Sequence, residues 1–213
     1  MEELVAISAH SGNYFMCEFL IATFQKAHMK LMVTDTKHAM EVVTLGERRV
    51  ELLGKLQRFR DQADEMYTIA TTFLAVKSLS YAELYFQRAR DVGAAHGFFS
   101  VEGKACTGLG EMKVRDGRHA EGVDLLRNAM VAFTLDDDED GELNAMNYLI
   151  DALFKTEGLE EVGTLLPRLR AAAAASSRRE GSLCEAELAC LLFSSRLHEV
   201  PSTCPQSGSK SPS

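Results

Sequence analysis

One short segment of the chain has residue types that bind phosphate in other proteins. Gly103-Lys104 has the Gly-Lys step of a phosphate-binding loop, but that loop also needs a glycine five residues before the step and a Ser or Thr after it. Phe98 and Ala105 stand at those two positions. We therefore expect no nucleotide site here.

A second segment, Asp136-Asp137-Asp138-Glu139-Asp140, has the carboxylates that calcium requires but not their spacing. A calcium loop alternates its oxygen ligands around a central glycine, whereas these acids are contiguous. We interpret them as acids placed before a helix near 142–155, where negative charge stabilises the positive end of the helix dipole.

The histidines and cysteines are scattered rather than grouped at metal-ligand spacings. No two histidines stand four residues apart and no two cysteines form a Cys-x-x-Cys pair, which are spacings typical of zinc sites. We therefore expect no metal site and no cofactor, free thiols in a reducing compartment, and a surface position for His119. The residues are His10, His28, His38, His96, His119 and His198, with Cys17, Cys106, Cys184, Cys190 and Cys204.

The charge balance argues against nucleic acid and membrane surfaces as partners. The net charge is −8 at pH 7, and both kinds of partner are anionic. The most apolar stretch, Tyr14 to Val33, contains Glu18, Lys26 and Lys30 and is too polar for a membrane span. Because the N-terminus also lacks the pattern of a signal peptide, we expect a cytoplasmic protein.

The elements that would position any binding residues are helices. Residues 1–166 contain no proline, which permits long helices. When the chain is shifted against itself by about 40 residues, a common length for helical repeats, three windows align, and small or apolar residues fill every compared position except Lys113. Each window has the apolar spacing of two amphipathic helices. The positions are Met66, Ile69, Ala70, Phe73, Ala82, Phe86 and Ala89; Cys106, Leu109, Gly110, Lys113, Gly122, Leu126 and Ala129; and Met146, Leu149, Ile150, Leu153, Val162, Leu166 and Leu169, with an incomplete fourth set from Ala186.

Short turns join the two helices of each window, so the helices must lie antiparallel as hairpins. We assign Gly117 and Gly158 as the left-handed residues that end the first helices. Gly110 and Gly122 stand inside helices, where a glycine costs about 1 kcal/mol relative to alanine. We therefore predict that two helix backbones approach closely at these positions.

Leu109-Gly110, the turn residue Gly117 and the run Ala82-x3-Phe86-x2-Ala89 resemble the tetratricopeptide repeat (TPR). The period of about 40 residues, without a closing proline, is similar to the longer repeats of kinesin light chains and cell-polarity adaptors. The resemblance implies an all-α fold, an α-solenoid in which antiparallel hairpins form a right-handed superhelix. A HEAT-type array shares the spacing and is the alternative fold.

The same alignment divides the chain into three regions. Residues 1–60 are predicted to form a diverged hairpin from helices near 14–33 and 39–59. Residues 61–199 contain the TPR-like repeats, and the composition of 200–213 predicts a disordered tail. The repeats are placed at about 63–102, 103–142 and 143–182, with a partial repeat at 183–199.

The resemblance also implies a function, namely a scaffold or adaptor that binds a protein or peptide and has no catalytic activity. In stacked hairpins the first helix of each pair lines the concave face. The side of that helix turned away from the predicted core offers charges, amides and a few apolar groups, which suit an extended peptide. The predicted partner-binding residues are Asp64, Tyr67, Thr71, Leu74, Lys104, Thr107, Glu111, Arg115, Asn144, Asn147, Asp151 and Lys155.

Another interpretation of the sequence remains open. The chain could be a helical regulatory or dimerisation domain of a larger protein, including an enzyme. The predicted helix at 183–197 is apolar on more than one side, and terminal repeats normally have a polar outer face. This pattern predicts either weak self-association through the end helices or a fragment of a longer array.

Overall fold

The computed structural model describes residues 13–32, 36–156 and 158–180, and in these ranges it contains helices and turns but no strand. This confirms the all-α prediction. The predicted helix at 183–197 and the predicted tail lie outside the described residues. The helices are α1 Tyr14–Met32, α2 Ala39–Lys55, α3 Phe59–Ala75, α4 Leu79–His96, α5 Phe99–Arg115, α6 His119–Leu135, α7 Glu139–Lys155 and α8 Leu159–Glu180, with a 3₁₀ turn at Thr36–His38.

A single turn geometry recurs every 20 residues, at each connection from α2–α3 to α6–α7. In each turn one residue has a positive φ, and the next residue donates its N–H to the carbonyl oxygen five residues earlier, as Ser78 does to Phe73 at 2.9 Å. This combination is the Schellman motif, which satisfies the last carbonyls of a helix. The positive-φ residues are Gln57, Lys77, Gly97, Gly117 and Asp137.

The two predicted turn glycines have different roles. Gly117 has a φ of 79° and follows α5, as predicted. The assignment of Gly158 as a left-handed residue is wrong, because Gly158 is not among the positive-φ residues. It holds the position that Ser78 holds in its turn, and its N–H donates to the carbonyl oxygen of Leu153 at 2.9 Å. A glycine near the end of a helix does not by itself mark the left-handed position of the turn.

The acidic run forms the turn between α6 and α7. Asp137 is the left-handed residue, with a φ of 53°. Asp138 is the N-cap of α7, and its carboxylate accepts a hydrogen bond from the N–H of Gly141 at 2.9 Å. The helix therefore begins at Glu139, earlier than expected, because the cap satisfies an otherwise free amide. The acids that follow the cap lie in the first turn, where they complement the helix dipole.

The aligned apolar positions form the core between the helices. Within residues 13–162 all of them are buried except Met66, which is half-buried. Lys113, the polar exception, is only 8% exposed. Its ammonium group forms an ion pair with Glu83 of α4, which explains how a lysine is accommodated at a core position.

Each helix from α1 to α6 packs against the next helix along the chain, and α5 also contacts both α3 and α7. This arrangement is a run of antiparallel hairpins, the TPR-like fold predicted from the repeat. The bounds of the individual repeats stay a prediction. The helix pairs themselves begin at Phe59, Phe99 and Glu139.

Glycines bring α5 and α6 together. A Cβ atom added to Gly110 would lie 2.6 Å from Cγ of Leu126 and 3.2 Å from the carbonyl oxygen of Gly122. A Cβ atom added to Gly122 would lie 2.6 Å from a methyl carbon of Val114 and 3.1 Å from the carbonyl oxygen of Gly110. The predicted close approach of two backbones is confirmed, and this contact outweighs the low helix propensity of glycine.

Charged and amide side chains join α1, α2 and α3. Arg49 of α2 donates to Glu18 of α1 at 2.8 Å and to Glu65 of α3 at 2.5 Å. Gln25 of α1 donates to the other oxygen of Glu65. Burial raises the pKa of Glu65, and the bonds from Gln25 and Arg49 oppose that rise. The arginine thus offsets part of the cost of burying two carboxylates.

The chain divides into two compact units, residues 1–162 and 163–213. All complete hairpins described above lie in the first unit. The described part of the second unit is the remainder of α8, which includes Pro167 and the buried side chains of Leu165, Leu166 and Leu169.

Candidate functional site

The candidate site is the side of α3, α5 and α7 that carries the predicted partner-binding residues, which we call the α3–α5–α7 face. Direct contact of α5 with both α3 and α7 places their outward residues beside one another. Each helix begins 40 residues after the preceding one, so equivalent positions recur at the same height. The face is therefore built by the same regular turns that build the fold.

On α3 the predicted residues are all half-buried. Tyr67 packs on Phe86 of α4, with ring centroids 5.6 Å apart, so its ring is fixed by the core while it borders the face. The hydroxyl of Thr71 donates to the carbonyl oxygen of Thr68 at 2.9 Å. Leu74 packs against the buried cluster around Phe73. These contacts hold the α3 part of the face in one arrangement.

On α5 the predicted residues differ in their access to solvent. Lys104 and Arg115 are exposed and Glu111 is half-buried. Arg115 forms an ion pair with Glu111 at 2.6 Å, one helical turn apart. Thr107 is only 5% exposed, and its hydroxyl donates to the carbonyl oxygen of Gly103 at 2.9 Å. The structure thus places Thr107 in the interior, because the glycines of α5 draw the helix close to its neighbours.

On α7 the exposed predicted residues are Asn144 and Lys155, while Asn147 and Asp151 are half-buried. Lys155 donates to Asp151 at 2.8 Å. The side-chain carbonyl oxygen of Asn147 is buried and has no hydrogen-bond partner. A buried acceptor without a donor costs free energy, so this oxygen is an unsatisfied polar group at the border of the face.

Two electrostatic contacts cross between the helices of the face. Lys104 of α5 lies near Asp64 of α3, whose pKa burial raises and the lysine charge lowers. At the centre, Glu111 of α5 acts on Tyr67 of α3 and Tyr148 of α7. Burial and the nearby Glu111 carboxylate raise the pKa of both phenols. The structure therefore brings Tyr67, Glu111 and Tyr148 together across three helices.

Tyr148 was missing from the predicted partner-binding set. It follows Asn147 directly and stands one position away from the 40-residue register of the predicted residues. An aromatic residue directly beside a predicted polar residue is a signal from which the sequence could have indicated Tyr148. Only the packing shows that its hydroxyl reaches a residue of another helix.

Among the described residues, two cavities lie beside the hairpins. One, of about 310 Å³, lies at the ends of α3 and α5, where Leu74, Met112 and Arg115 line it together with the buried Lys113 and its half-buried partner Glu83. The other, of about 380 Å³, lies between α4, α5 and α6. It contains Cys106, whose thiol pKa is raised to about 11 by burial and the charge of Glu102. A thiol that stays protonated at neutral pH is a poor nucleophile.

Three positions outside the face also depart from expectation. His119 begins α6 and is half-buried rather than on the surface, and its Nδ1 atom has no hydrogen-bond partner. His28 and His38, which are ten residues apart in sequence, lie side by side with their Nδ1 atoms 3.2 Å apart. Local spacing does not reveal this pair because a turn of the chain creates it.

In the part of the chain that the structure describes, no helix is both long enough and apolar enough to cross a bilayer.

Solved structures with the same kind of fold include two of a Podosopora anserina protein described as a putative kinesin light chain with nearly identical TPR-like repeats. A form of it with one substitution has a TM-score of 0.52 at 16% identity, over 83% of this chain and 94% of that chain. The other form has a TM-score of 0.51 at 16% identity, with 83% and 94% coverage. BtubC (BKLC) from P. vanneervenii has a TM-score of 0.48 at 11% identity, over 100% of this chain and 98% of that chain.

No protein-family model matches the sequence, and no curated protein matches it. The assignment therefore depends on structure. Seven of the eight described helices follow one 20-residue register, consecutive helices form hairpins, and solved TPR-like chains superpose on most of the molecule. The described part of this chain is all-helical and has the TPR-like repeat fold.

Proposed function

We propose that the chain is a non-catalytic scaffold whose α3–α5–α7 face binds an extended peptide segment of a partner protein. The observation that carries the proposal is the buried, unpartnered carbonyl oxygen of Asn147 on this face. An extended peptide presents backbone N–H groups at regular intervals, and such a group would satisfy this acceptor once the half-buried Asn147 side chain turns its carbonyl oxygen toward the surface. The fold supports the general role, because TPR-like repeats are interaction modules.

The neighbours of Asn147 suit such a guest. Tyr67 and Tyr148 are half-buried aromatic residues on either side of Glu111, and amphipathic rings of this kind contribute much of the energy at binding interfaces. Charges of both signs border them, because the exposed Lys104 and Arg115 lie near the half-buried Asp64 and Glu111. We infer that the peptide is of mixed charge and anchors through apolar side chains and its backbone.

The spacing of the helices supports the assignment of this face as the inner one. Helix α5 contacts α3 and α7 directly, whereas α4 and α6 do not make comparable contact. In a stack of hairpins, the side on which the helices are closer is the concave side. A concave surface buries more of an extended guest than a convex one.

A matched pair of asparagine variants tests the proposal. Peptides that bind the intact chain would be selected from a displayed random library, and their affinities measured by titration calorimetry. Asn147→Ala should weaken binding about 10-fold, the effect of losing one buried hydrogen bond. Asn128→Ala changes the same residue type on the exposed side of α6 and should leave the affinity within about twofold.

A stronger disruption combines Lys104→Glu, Asn147→Ala and Lys155→Glu. This triple variant should abolish detectable binding of the selected peptides while the helical circular dichroism signal stays unchanged. If the same peptides bind the triple variant as tightly as the original chain, the α3–α5–α7 face is not the binding site.

A second candidate function is weak self-association through α1. Phe15 is 67% exposed and Phe19 is 63% exposed, on a helix at one end of the described hairpins. Large exposed apolar side chains favour association. Light scattering across a concentration series should show a rising mass for the original chain and a constant monomer mass for Phe15→Glu/Phe19→Glu. Val131→Glu, at an exposed position of α6, is the control. A constant monomer mass for the original chain would exclude this role.

The proposal places the scaffold in the cytoplasm. The two described cysteines, Cys17 and Cys106, are not joined in a disulfide, which agrees with a reducing compartment.

A further inference from the structure

We propose that His28, His38 and Glu41 form a binding site for a divalent transition metal ion of the zinc class. One ligand atom from each residue lies within 4.8 Å of the others, and the two histidine Nδ1 atoms are 3.2 Å apart. His28 belongs to the C-terminal half of α1, His38 to the 3₁₀ turn and Glu41 to the first turn of α2. Three donors from three consecutive elements thus converge on one point.

The separation of the histidine nitrogens matches a shared tetrahedral ion. Zinc binds imidazole nitrogen at about 2.0–2.1 Å, and two such ligands at the tetrahedral angle lie about 3.3 Å apart. The imidazole rings are tilted by 53° to each other with centroids 5.2 Å apart, so they converge at the nitrogen edges rather than stacking face to face.

The carboxylate of Glu41 distinguishes this site from a simple hydrogen bond between two imidazole rings. A neutral pair of imidazoles could share one N–H···N bond at the same distance. That bond needs no third group, yet a carboxylate oxygen of Glu41 lies within 4.8 Å of a ligand nitrogen of each histidine. Two imidazoles and one carboxylate form a common zinc ligand set with a fourth position open to water.

The donor types also select the ion. Imidazole nitrogen suits zinc, copper, nickel and iron, whereas calcium and magnesium require oxygen ligands. His28 and His38 are half-buried and Glu41 is exposed. An ion can therefore enter from solvent, and water can complete its coordination.

A bound ion would fix the connection between α1 and α2. The ligands lie on both sides of the short segment that joins these helices, so one ion would close this loop as a clip. None of the three residues belongs to the α3–α5–α7 face. The inference is therefore independent of the proposed peptide site, and each can fail without the other.

Zinc chloride and the intact, chelator-treated chain provide the test. Titration calorimetry should show one ion bound per chain, and zinc at about 100 times its dissociation constant should raise the melting temperature by about 5 °C or more. Cobalt(II) should give the visible absorption bands of a nitrogen- and oxygen-ligated ion. Because the chain also has five cysteines, the cobalt spectrum should lack the intense thiolate charge-transfer band.

Variants then locate the ion. His28→Ala and His38→Ala should each reduce zinc affinity at least 100-fold, and Glu41→Gln about 10-fold, while His119→Ala on α6 should leave it unchanged. Circular dichroism without zinc checks that each variant is folded, and the titration of the unmodified chain does not depend on any variant. Absence of one-to-one binding to the unmodified chain, or undiminished binding to folded His28→Ala/His38→Ala, would overturn the proposal.

Discussion

Neighbouring helices come into contact in opposite ways at the junction of α1, α2 and α3 and in the α5–α6 hairpin. At the junction, Arg49 bridges carboxylates on two neighbouring helices. In the hairpin, Gly110 and Gly122 have no side chains, so the backbones of α5 and α6 lie close together. Both regions keep the same turn, with a left-handed residue at Gln57 in one and at Gly117 in the other.

This contrast shows that the turn and the contact between helices are separable features. The turn depends on local backbone geometry, so it recurs with unrelated residues every 20 positions. The contact depends on the volume and charge available at each crossing, so it changes from one pair of helices to the next. A TPR-like array thus tolerates a buried charge cluster at one crossing and a glycine contact at another.

The largest effect should come from filling the glycine contact. Gly110→Val places atoms where Leu126 and the Gly122 carbonyl already lie, and overpacking of this kind costs about 3 kcal/mol. The free energy of unfolding in urea measures the change. Gly163→Val is the control, because a Cβ atom at Gly163 meets nothing within 4 Å. If both variants are equally stable, α5 and α6 are not in close contact.

The charged junction should be the next most sensitive. Arg49→Met removes the cation that bridges Glu18 and Glu65. The free energy of unfolding should fall by about 2 kcal/mol, less than for a fully buried pair because the arginine is partly exposed. Arg90→Met is the matched control, since Arg90 pairs with its exposed neighbour Asp91 and should change stability by less than about 0.5 kcal/mol. Equal urea midpoints for the two variants would contradict a structural role for the Arg49 bridge.

The turn of the hairpin should show a smaller effect. Gly117→Ala requires a residue with a Cβ atom to adopt the left-handed conformation, which costs about 1 kcal/mol. No atom lies within 4 Å of the added Cβ, so the change in unfolding free energy reports on the backbone alone. An unchanged stability would show that this turn is not left-handed in solution.

The smallest expected effect is a gain in stability at the turn between α2 and α3, where Gln57 is the left-handed residue. Gln57→Gly relieves the left-handed conformation of a residue with a side chain, and the greater freedom of glycine in the unfolded chain offsets part of the benefit. We expect a net stabilisation of about 0.5 kcal/mol in urea unfolding. Gln57→Ala should be neutral, and a loss of stability in that variant would mean that the glutamine side chain itself contributes.

The helical hairpins were largely predictable from the sequence because their causes are local. Apolar residues at helical spacing correctly identified the buried positions, and the 40-residue alignment predicted the TPR-like fold. Gly110 and Gly122 indicated a close contact because glycine is unfavourable in a helix without a packing reason. The same reasoning misplaced the left-handed residue at Gly158, since a glycine near a turn does not show which turn position it holds.

The candidate sites depended on tertiary structure because their partners are distant in sequence. In the sequence, Lys113 interrupts the pattern of apolar core positions. Only the structure shows that its ammonium group forms an ion pair with Glu83. Thr107 had the spacing of a surface residue but is buried by the close packing of α5. Local periodicity fixes which side of a helix faces the core. The crossing of helices decides which polar side chains meet, as with His28 and His38 or with Tyr67, Glu111 and Tyr148.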